Sequence, residues 1–488
     1  MSVKRNTLYN LAGATVPILL ALVTVPLYLR KIGTARYGIL AIVWLILSYF
    51  GSFDLGLSRA AANRIAQMKF SPATEREQVF WTACLLNIGL GGIAGVAFYV
   101  AGGRILEHWF KMSAPLHAET ALALPWMAAA IPIATVTAAL TGALEGLQRF
   151  STVNAIQSLG TALFQIAPLV TAFVVGPQLQ YVIPTAVIAR LITALPLFNA
   201  VRSALPVASA PRLHARHARK LFAYGSWIAI TNVVGPILHV FDRFFVGIVL
   251  GASAVAYYVV PFQLVNRSQI VPGALSRALF PHFSSIGSEE ARKVAIEAIV
   301  TLSAVMTPLT ILGLLVISPF LRIWVGSAFA SHATPVGQIL LLGIWINGLA
   351  FVPFALLQAR GRPDIVAKFH LLEVIPFLLV LWFALTRIGI AGAAIAWALR
   401  VSVDATLLFI AADLPIGTVP PLALSAGLVG AAELCVCFLP DPLNTTRLYV
   451  GASLLLLSCA WSFKISSHVR HMISKVLRCP RTFRQNQL

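Results

Sequence analysis

The feature that most constrains this chain is a succession of long apolar segments that continues from one end to the other. A helix of about 20 apolar residues spans the hydrocarbon core of a bilayer, which is roughly 30 Å thick. Of all residues, 59% are hydrophobic and 11% are charged, whereas a soluble domain carries about 25% charged residues. The sequence therefore predicts a membrane protein that leaves almost nothing for a soluble domain.

The apolar segments predict an all-α polytopic membrane protein with about 14 transmembrane helices. The segment 254–276 is the least regular, because Pro261, Arg267 and Pro272 interrupt it. The predicted spans are 8–30, 37–58, 78–101, 121–143, 151–174, 179–201, 221–250, 254–276, 294–319, 335–358, 366–386, 389–411, 418–438 and 446–464.

The net charge of +20 raises the question of a nucleic-acid partner. Most of the 36 Lys and Arg fall in the tails and in the loops of one side, which is the pattern of the positive-inside rule. We therefore expect anionic membrane lipids as partners, no nucleic acid, and both termini in the cytoplasm. One basic cluster, Arg30, Lys31 and Arg36, falls on the opposite side in this topology.

Three weak internal matches occur in the same order along the chain, at nearly constant spacing. They predict two parallel six-helix bundles followed by two C-terminal helices, and parallel repeats place a substrate route at the repeat interface. The matched pairs are Gly33 with Gly251, Arg149 with Arg362, and Arg190 with Arg400.

These repeats give a predicted domain organisation. Residues 1–205 form an N-terminal six-helix bundle, and residues 206–220 form a basic cytoplasmic linker. A C-terminal six-helix bundle occupies 221–412, two extra transmembrane helices occupy 413–464, and a basic cytoplasmic tail occupies 465–488.

Arg190 and Arg400 lie near the middle of their predicted spans. A charge at the bilayer centre costs roughly 2.5–3.5 kcal/mol on insertion scales, so such residues face a cavity or a partner. Arginine matches phosphate oxygens with a planar fork of donors, which favours contact with an anionic substrate. For Arg400 the alternative is pairing with Asp404, four residues on, or with Glu373 of a neighbouring helix.

Asp242 and Arg243 are adjacent inside the long apolar run 221–250. Two interpretations stay open. In one, Asp242 titrates or binds a cation while Arg243 contacts the passing headgroup; in the other, the residues form a salt bridge between helices that locks one conformation. Asp54, near a helix end, is expected to act in a turn or as a helix cap.

Three stretches resemble the polysaccharide exporter family, the Wzx-type flippases of lipid-linked oligosaccharides, which share a superfamily (MOP) with the MATE exporters and the lipid II flippase. The resemblance covers about residues 5–412. The stretches are PLYLRKIGTARYGILAIVWLILSYFGSFDLGLSRAAANRIAQ, DRFFVGIVLGASAVAYYVVPFQL and LLQARGRPDIVAKFHLLEVIP.

The resemblance implies two bundles arranged in a V around a cationic cavity. It also implies transfer of undecaprenyl-diphosphate-linked repeat units across the bacterial inner membrane, with polymerase and chain-length proteins of the pathway as further partners. The predicted substrate-binding residues are Arg190, Arg400, Arg243 and Arg267, and the predicted ion-coupling residues are Asp242, Glu373 and Asp404.

The main alternative is a MATE-like secondary exporter of small molecules. A glycan polymerase or ligase is disfavoured, because the predicted loops on the outer side are short. The sequence contains no nucleotide-binding loop GxxxxGK[ST], no HExxH and no GxSxG, so we expect neither enzymatic activity nor a metal or other cofactor.

Overall fold

The structure, a computed structural model, describes residues 3–50, 54, 56–68, 70–205, 210–414 and 420–465. Within these residues every regular element is helical, and no strand occurs. The elements are α1 (Val3–Phe50), α2 (Leu57–Gln67), α3 (Ala73–His108), α4 (Ala114–Gly146), α5 (Phe150–Val174), α6 (Leu179–Ala204), α7 (Ala215–Leu250), α8 (Ala252–Val265), the 3-10 turn η1 (Asn266–Gln269), α9 (Ile270–Ser285), α10 (Ser288–Val325), α11 (Ser327–Ala359), α12 (Pro363–Ile388), α13 (Ile390–Ala411), α14 (Pro420–Phe438) and α15 (Thr445–Ile465).

Among the described residues, 11 helices are long and apolar enough to cross a membrane. The first of these, Pro17–Ile46, contains parts of both the first and the second predicted spans. The seventh predicted span lies in α7, where the side chains of residues 223–237 and 239 fall outside the described part of the structure. The eighth is divided between α8, η1 and α9. The protein is therefore an all-α, multi-pass membrane protein, as the apolar segments predicted.

The chain divides into two compact units, Met1–Ala256 and Tyr257–Leu488. In the first unit α4 packs against α3, α6 and α2, and in the second unit α11 packs against α10, α13 and α9. The described contacts of α7 are with α1, α2 and α3, and this helix begins at Ala215, within the predicted linker 206–220. The predicted tail lies outside the described residues beyond position 465.

The predicted repeat has a counterpart in the helix connections. The α4–α5 connection turns at Gln148 (φ 60°), and the α11–α12 connection turns at Gly361 (φ 71°), 213 positions later. The next residue in each case, Arg149 or Arg362, precedes the new helix. The backbone bonds are also equivalent: Gln148 N–H donates to Glu145 O at 2.9 Å, Arg149 N–H to Leu144 O at 2.8 Å, Gly361 N–H to Gln358 O at 3.0 Å, and Arg362 N–H to Leu357 O at 2.9 Å.

Gly33 and Gly251, the first matched pair, also share a conformation. Gly33 interrupts α1 with φ 81° and ψ 166°, and Gly251 ends α7 with φ 94° and ψ 172°. Residues with a Cβ rarely adopt this region, so glycine is required at both breaks. Close to them, Gly38 packs directly on α8: a Cβ added at Gly38 would lie 1.9 Å from the carbonyl oxygen of Ala252.

Two of the charged residues noted in the sequence stabilise helix ends or helix contacts. Asp54 accepts hydrogen bonds from the N–H groups of Gly56 (3.0 Å) and Ser58 (2.7 Å), as expected of a residue in a turn or cap before α2. Arg36 donates two hydrogen bonds to Glu119 of α4, at 2.8 and 2.6 Å. Glu119 also accepts one from the N–H of Leu179 at the start of α6, at 3.1 Å.

Candidate functional site

Arg190 lies near the middle of α6, an apolar helix. Its side chain is partly exposed, and its guanidinium lies over the ring of Phe164 on α5, with 5.5 Å between Cζ and the ring centroid. The helices α5 and α6 pack along their lengths, and Gly160 on α5 leaves room for Thr193 on α6. Arg190 therefore projects from the face of α6 that lies beside α5.

A stripe of polar side chains runs along α5 at spacings of three and four residues, which places them on one helix face. Gln157 donates to the hydroxyl of Thr141 on α4 at 3.2 Å, and Oε1 of Gln165 is buried without a hydrogen-bond partner. All four side chains are exposed or partly exposed. The members of this α5 polar stripe are Asn154, Gln157, Thr161 and Gln165.

Arg400 occupies a different environment, in the middle of α13. Its Nη1 lies 3.7 Å from Oε2 of Glu373 on α12, and each of the two side chains is only 6% exposed. Its guanidinium also lies 5.8 Å from the ring centroid of Phe377. This contact favours the alternative in which a carboxylate of a neighbouring helix neutralises Arg400.

Two further groups complete a cluster on α12 and α13, in which His370 is partly exposed and the other three side chains are buried. Nε2 of His370 lies 3.7 Å from Oδ1 of Asp404, and Asp404 interacts electrostatically with Glu373. Neither carboxylate oxygen of Glu373 has a hydrogen-bond partner. We call His370, Glu373, Arg400 and Asp404 the α12–α13 cluster.

The charge of the α12–α13 cluster depends on protons. Arg400 carries one positive charge, Glu373 and Asp404 carry up to two negative charges, and His370 carries one positive charge only when protonated. One added proton therefore makes the cluster neutral. The neighbouring helix α11 contains no Asp, Glu, Lys or Arg, and its one titratable group of this kind is His332, near its start. An arrangement of this kind can bind and release a proton.

Asp242 and Arg243 form a pair within one turn of α7. Nη1 of Arg243 lies 2.5 Å from Oδ1 of Asp242, and the backbone N–H of Arg243 donates to the same oxygen at 2.8 Å. Both residues are buried. This salt bridge joins adjacent residues of one helix. It does not by itself provide the salt bridge between helices that one of the two interpretations of the sequence requires.

The structure brings some predicted residues together and leaves others apart. Glu373, Arg400 and Asp404 join in one cluster, whereas Arg267 is exposed on η1 between α8 and α9. His370 was not predicted, although its position one turn before Glu373 is a usable signal. The polar stripe on α5 could likewise be found from its spacing.

Comparison with known proteins identifies the family and the fold. The family of polysaccharide biosynthesis proteins matches residues 3–287. A protein from Shigella flexneri, named provisionally as an O-antigen transporter, is 29% identical over 409 residues, which are 84% of this chain and 97% of that protein.

Solved structures of transporters share the fold. The lipid II flippase MurJ in an inward closed conformation superposes with a TM-score of 0.72 at 13% identity, over 94% of this chain and 99% of that chain. An inward-facing multidrug resistance MATE transporter of the MOP superfamily gives 0.67 at 11% identity, over 87% and 99%. The protein has the multi-helix fold of MOP-superfamily transporters and belongs to the family of polysaccharide biosynthesis proteins.

Proposed function

We propose that the protein is a flippase that moves undecaprenyl-diphosphate-linked oligosaccharide repeat units across the bacterial inner membrane for polysaccharide assembly. The proposed cycle is alternating access, with both termini in the cytoplasm and with an ion gradient setting the direction. Polymerase and chain-length proteins of the same pathway are its proposed partners. Family membership and the similarity to a protein named as an O-antigen transporter support this assignment.

The observation that carries the proposal is the combination of Arg190 with the α5 polar stripe. Exposed polar and charged side chains on apolar membrane helices are unfavourable against lipid and usually line a water-filled path. Here a cationic group and several amide or hydroxyl groups occupy two adjacent helices. An anionic diphosphate and the hydroxyls of a sugar chain need this set of partners.

The proposed role of Arg190 is to hold the diphosphate during its passage. Its guanidinium presents paired N–H donors that match phosphate oxygens, and the Phe164 ring supports its planar face. Asn154, Gln157 and Thr161 then contact sugar hydroxyls. Arg243 and Arg267 are further proposed contacts for the headgroup.

The proposed coupling site is the α12–α13 cluster. Protonation makes the cluster neutral and deprotonation leaves it with a net negative charge, so the proton occupancy changes its electrostatic energy strongly in a low-dielectric environment. This difference can bias a conformational equilibrium. The proposed ion-coupling residues are Glu373 and Asp404, and Asp242 is a second candidate in the other compact unit.

The test uses purified protein in proteoliposomes with a fluorescent undecaprenyl-diphosphate oligosaccharide. We expect the wild-type protein to move the lipid between leaflets and Arg190→Leu to lose this activity. The matched control is Arg202→Leu, an exposed arginine in the last turn of the same helix, which should retain transport. Transport of a small organic cation with no movement of the lipid would instead favour the MATE-like alternative.

A further inference from the structure

A cleft of about 200 Å³ lies where α2 and the beginnings of α3 and α7 meet. This volume is several times the ~30 Å³ that one water molecule occupies in the liquid. Of its eight lining residues none is acidic, and three are small or apolar. Its polar side chains are Asn63, Arg64, Gln67, His217 and Lys220. All of these elements belong to the first compact unit.

Two buried nitrogens in this cleft have no hydrogen-bond partner. His217 is only 9% exposed, and its Nδ1 is unsatisfied. Nε of Arg64, which approaches from α2, is also buried and unsatisfied. A buried polar group without a partner costs about 1–3 kcal/mol. A ligand that accepts hydrogen bonds would remove this penalty.

Positive charges outnumber negative ones around the cleft, because Arg64 and Lys220 line it and Arg216 lies beside it, against the carboxylates of Glu75 and Glu77. His214 and Arg216 flank it on α7, while α3 contributes Glu75 and Glu77 in its first two turns. The pKa of His217 is held below its usual value by burial and by the neighbouring His214, Arg64 and Arg216, against an opposing effect of Glu75. The net field therefore favours an anion.

We infer that this cleft binds the phosphate group of a lipid, with Arg64 and Lys220 as its cationic contacts and Asn63, Gln67 and His217 completing the hydrogen bonds. Guanidinium and ammonium groups form short, charge-assisted bonds to phosphate oxygens. The lipid is either an acidic phospholipid or a prenyl diphosphate. The second source rests on the proposed flippase function, whereas the first does not.

The test measures lipid affinity for the full-length protein in nanodiscs of phosphatidylcholine. The three probes are phosphatidylglycerol, undecaprenyl diphosphate and inorganic pyrophosphate. We expect the double variant Arg64→Gln with Lys220→Gln to weaken binding of a lipid probe at least about tenfold. The loss of even one charge-assisted hydrogen bond should lower the affinity by about this factor. The matched control replaces Arg212 and Arg219 by Gln; both are exposed and lie outside the cleft.

The outcomes separate the ligands. Binding of phosphatidylglycerol at this site identifies a phospholipid, and stronger binding of undecaprenyl diphosphate identifies the prenyl lipid. Equal weakening by the two double variants, binding of pyrophosphate alone, or no binding of any probe would overturn the inference. A protein that binds phosphatidylglycerol here but does not flip lipid-linked oligosaccharide would refute the proposed function and leave this assignment standing.

His217 gives a second readout that does not depend on a folding defect. Because its pKa is lowered, the imidazole is neutral near pH 7 and gains its proton only on acidification. Phosphatidylglycerol stays ionised on mild acidification, so its affinity should rise once the pH is low enough for His217 to gain its proton. His217→Gln should lose this rise, and an unchanged pH dependence in that variant would contradict the site.

Discussion

Arg190 and Arg400 occupy similar places in the two halves of the sequence but have different surroundings. Arg190 on α6 is partly exposed, lies against an aromatic ring and has a polar stripe on the adjacent helix. Arg400 on α13 is buried beside Glu373 and belongs to a cluster with Asp404 and His370. The helix connections of the two halves, in contrast, have nearly the same backbone geometry.

Under the proposed function, the two arginines have two separate electrostatic tasks. In the proposed function Arg190 holds the anionic headgroup, whereas the carboxylates of Glu373 and Asp404 beside the buried Arg400 take up the proton. The two helix connections thus have a similar backbone, while the surroundings of the two arginines differ. Four experiments compare equivalent or contrasting features of the two units.

Arg190→Leu should produce the largest effect. We expect lipid transport to fall by about 100-fold or more, since two charge-assisted bonds of about 1.5–3 kcal/mol each are lost. The unfolding midpoint should stay close to that of the wild type, and Arg190→Lys should retain partial activity. Equal transport by Arg190→Leu and the wild-type protein would contradict the proposed contact between Arg190 and the diphosphate.

Arg400→Leu should instead act on stability. Removing one member of a buried ion pair costs about 3–5 kcal/mol, because the remaining charge is left uncompensated. Adding Glu373→Leu should restore much of the lost stability, as measured by thermal unfolding in detergent. If Arg400→Leu alone were as stable as the wild-type protein, Arg400 would not be needed to compensate the charge of Glu373.

We expect a smaller effect on stability from the ion pair of Arg36 and Glu119 in the first unit. It is compared with the surface pair of Arg292 and Asp413 in the second unit. Glu119→Ala removes three hydrogen bonds that connect α1, α4 and α6, and we expect a loss of about 1–2 kcal/mol in unfolding free energy. Asp413→Asn removes the charge from a pair with Arg292 in which the aspartate side chain is 82% exposed. Asparagine tolerates the left-handed backbone of this position (φ 57°), so this variant should change nothing measurable.

The smallest expected effects concern the two equivalent turns. Gln148 adopts a left-handed conformation that costs roughly 1 kcal/mol for a residue with a Cβ, whereas Gly361 adopts it freely. Gln148→Gly should therefore raise the unfolding free energy by up to about 1 kcal/mol, and Gly361→Ala should lower it by a similar amount. Shifts of the same sign in both variants would show that the turns are not equivalent.

Much of the helical fold follows from the sequence alone. Apolar segments about 20 residues long locate the spans because a bilayer imposes that length, and the central positions of Arg190 and Arg400 follow directly. The position of the seventh helix was predicted less well, since α7 begins at Ala215 and basic residues do not by themselves interrupt a helix. The predicted domain boundaries and site roles stay predictions.

The packing of the helices could not be predicted from apolar character. Lipid is as apolar as a helix surface, so close packing depends on small residues whose partners a single sequence does not reveal. In the stretch GALEG, Gly142 and Gly146 bring α4 against α2: a Cβ at these positions would lie 2.4 Å from Ser58 O and 2.6 Å from Ala62 O. The spacing of four residues between Gly142 and Gly146 can be read from the sequence, but the identity of the helix that packs against them cannot.

The close approach of Gly38 to Ala252 has a consequence for how the protein could be studied. No side chain fits at position 38 while α8 keeps its present place, because the first carbon atom would overlap the Ala252 carbonyl oxygen. A single methyl group would act there as a steric wedge between the two segments. Gly38→Ala would therefore disfavour this particular arrangement of the chain and enrich any other that the protein visits, which would make rare states accessible to structure determination.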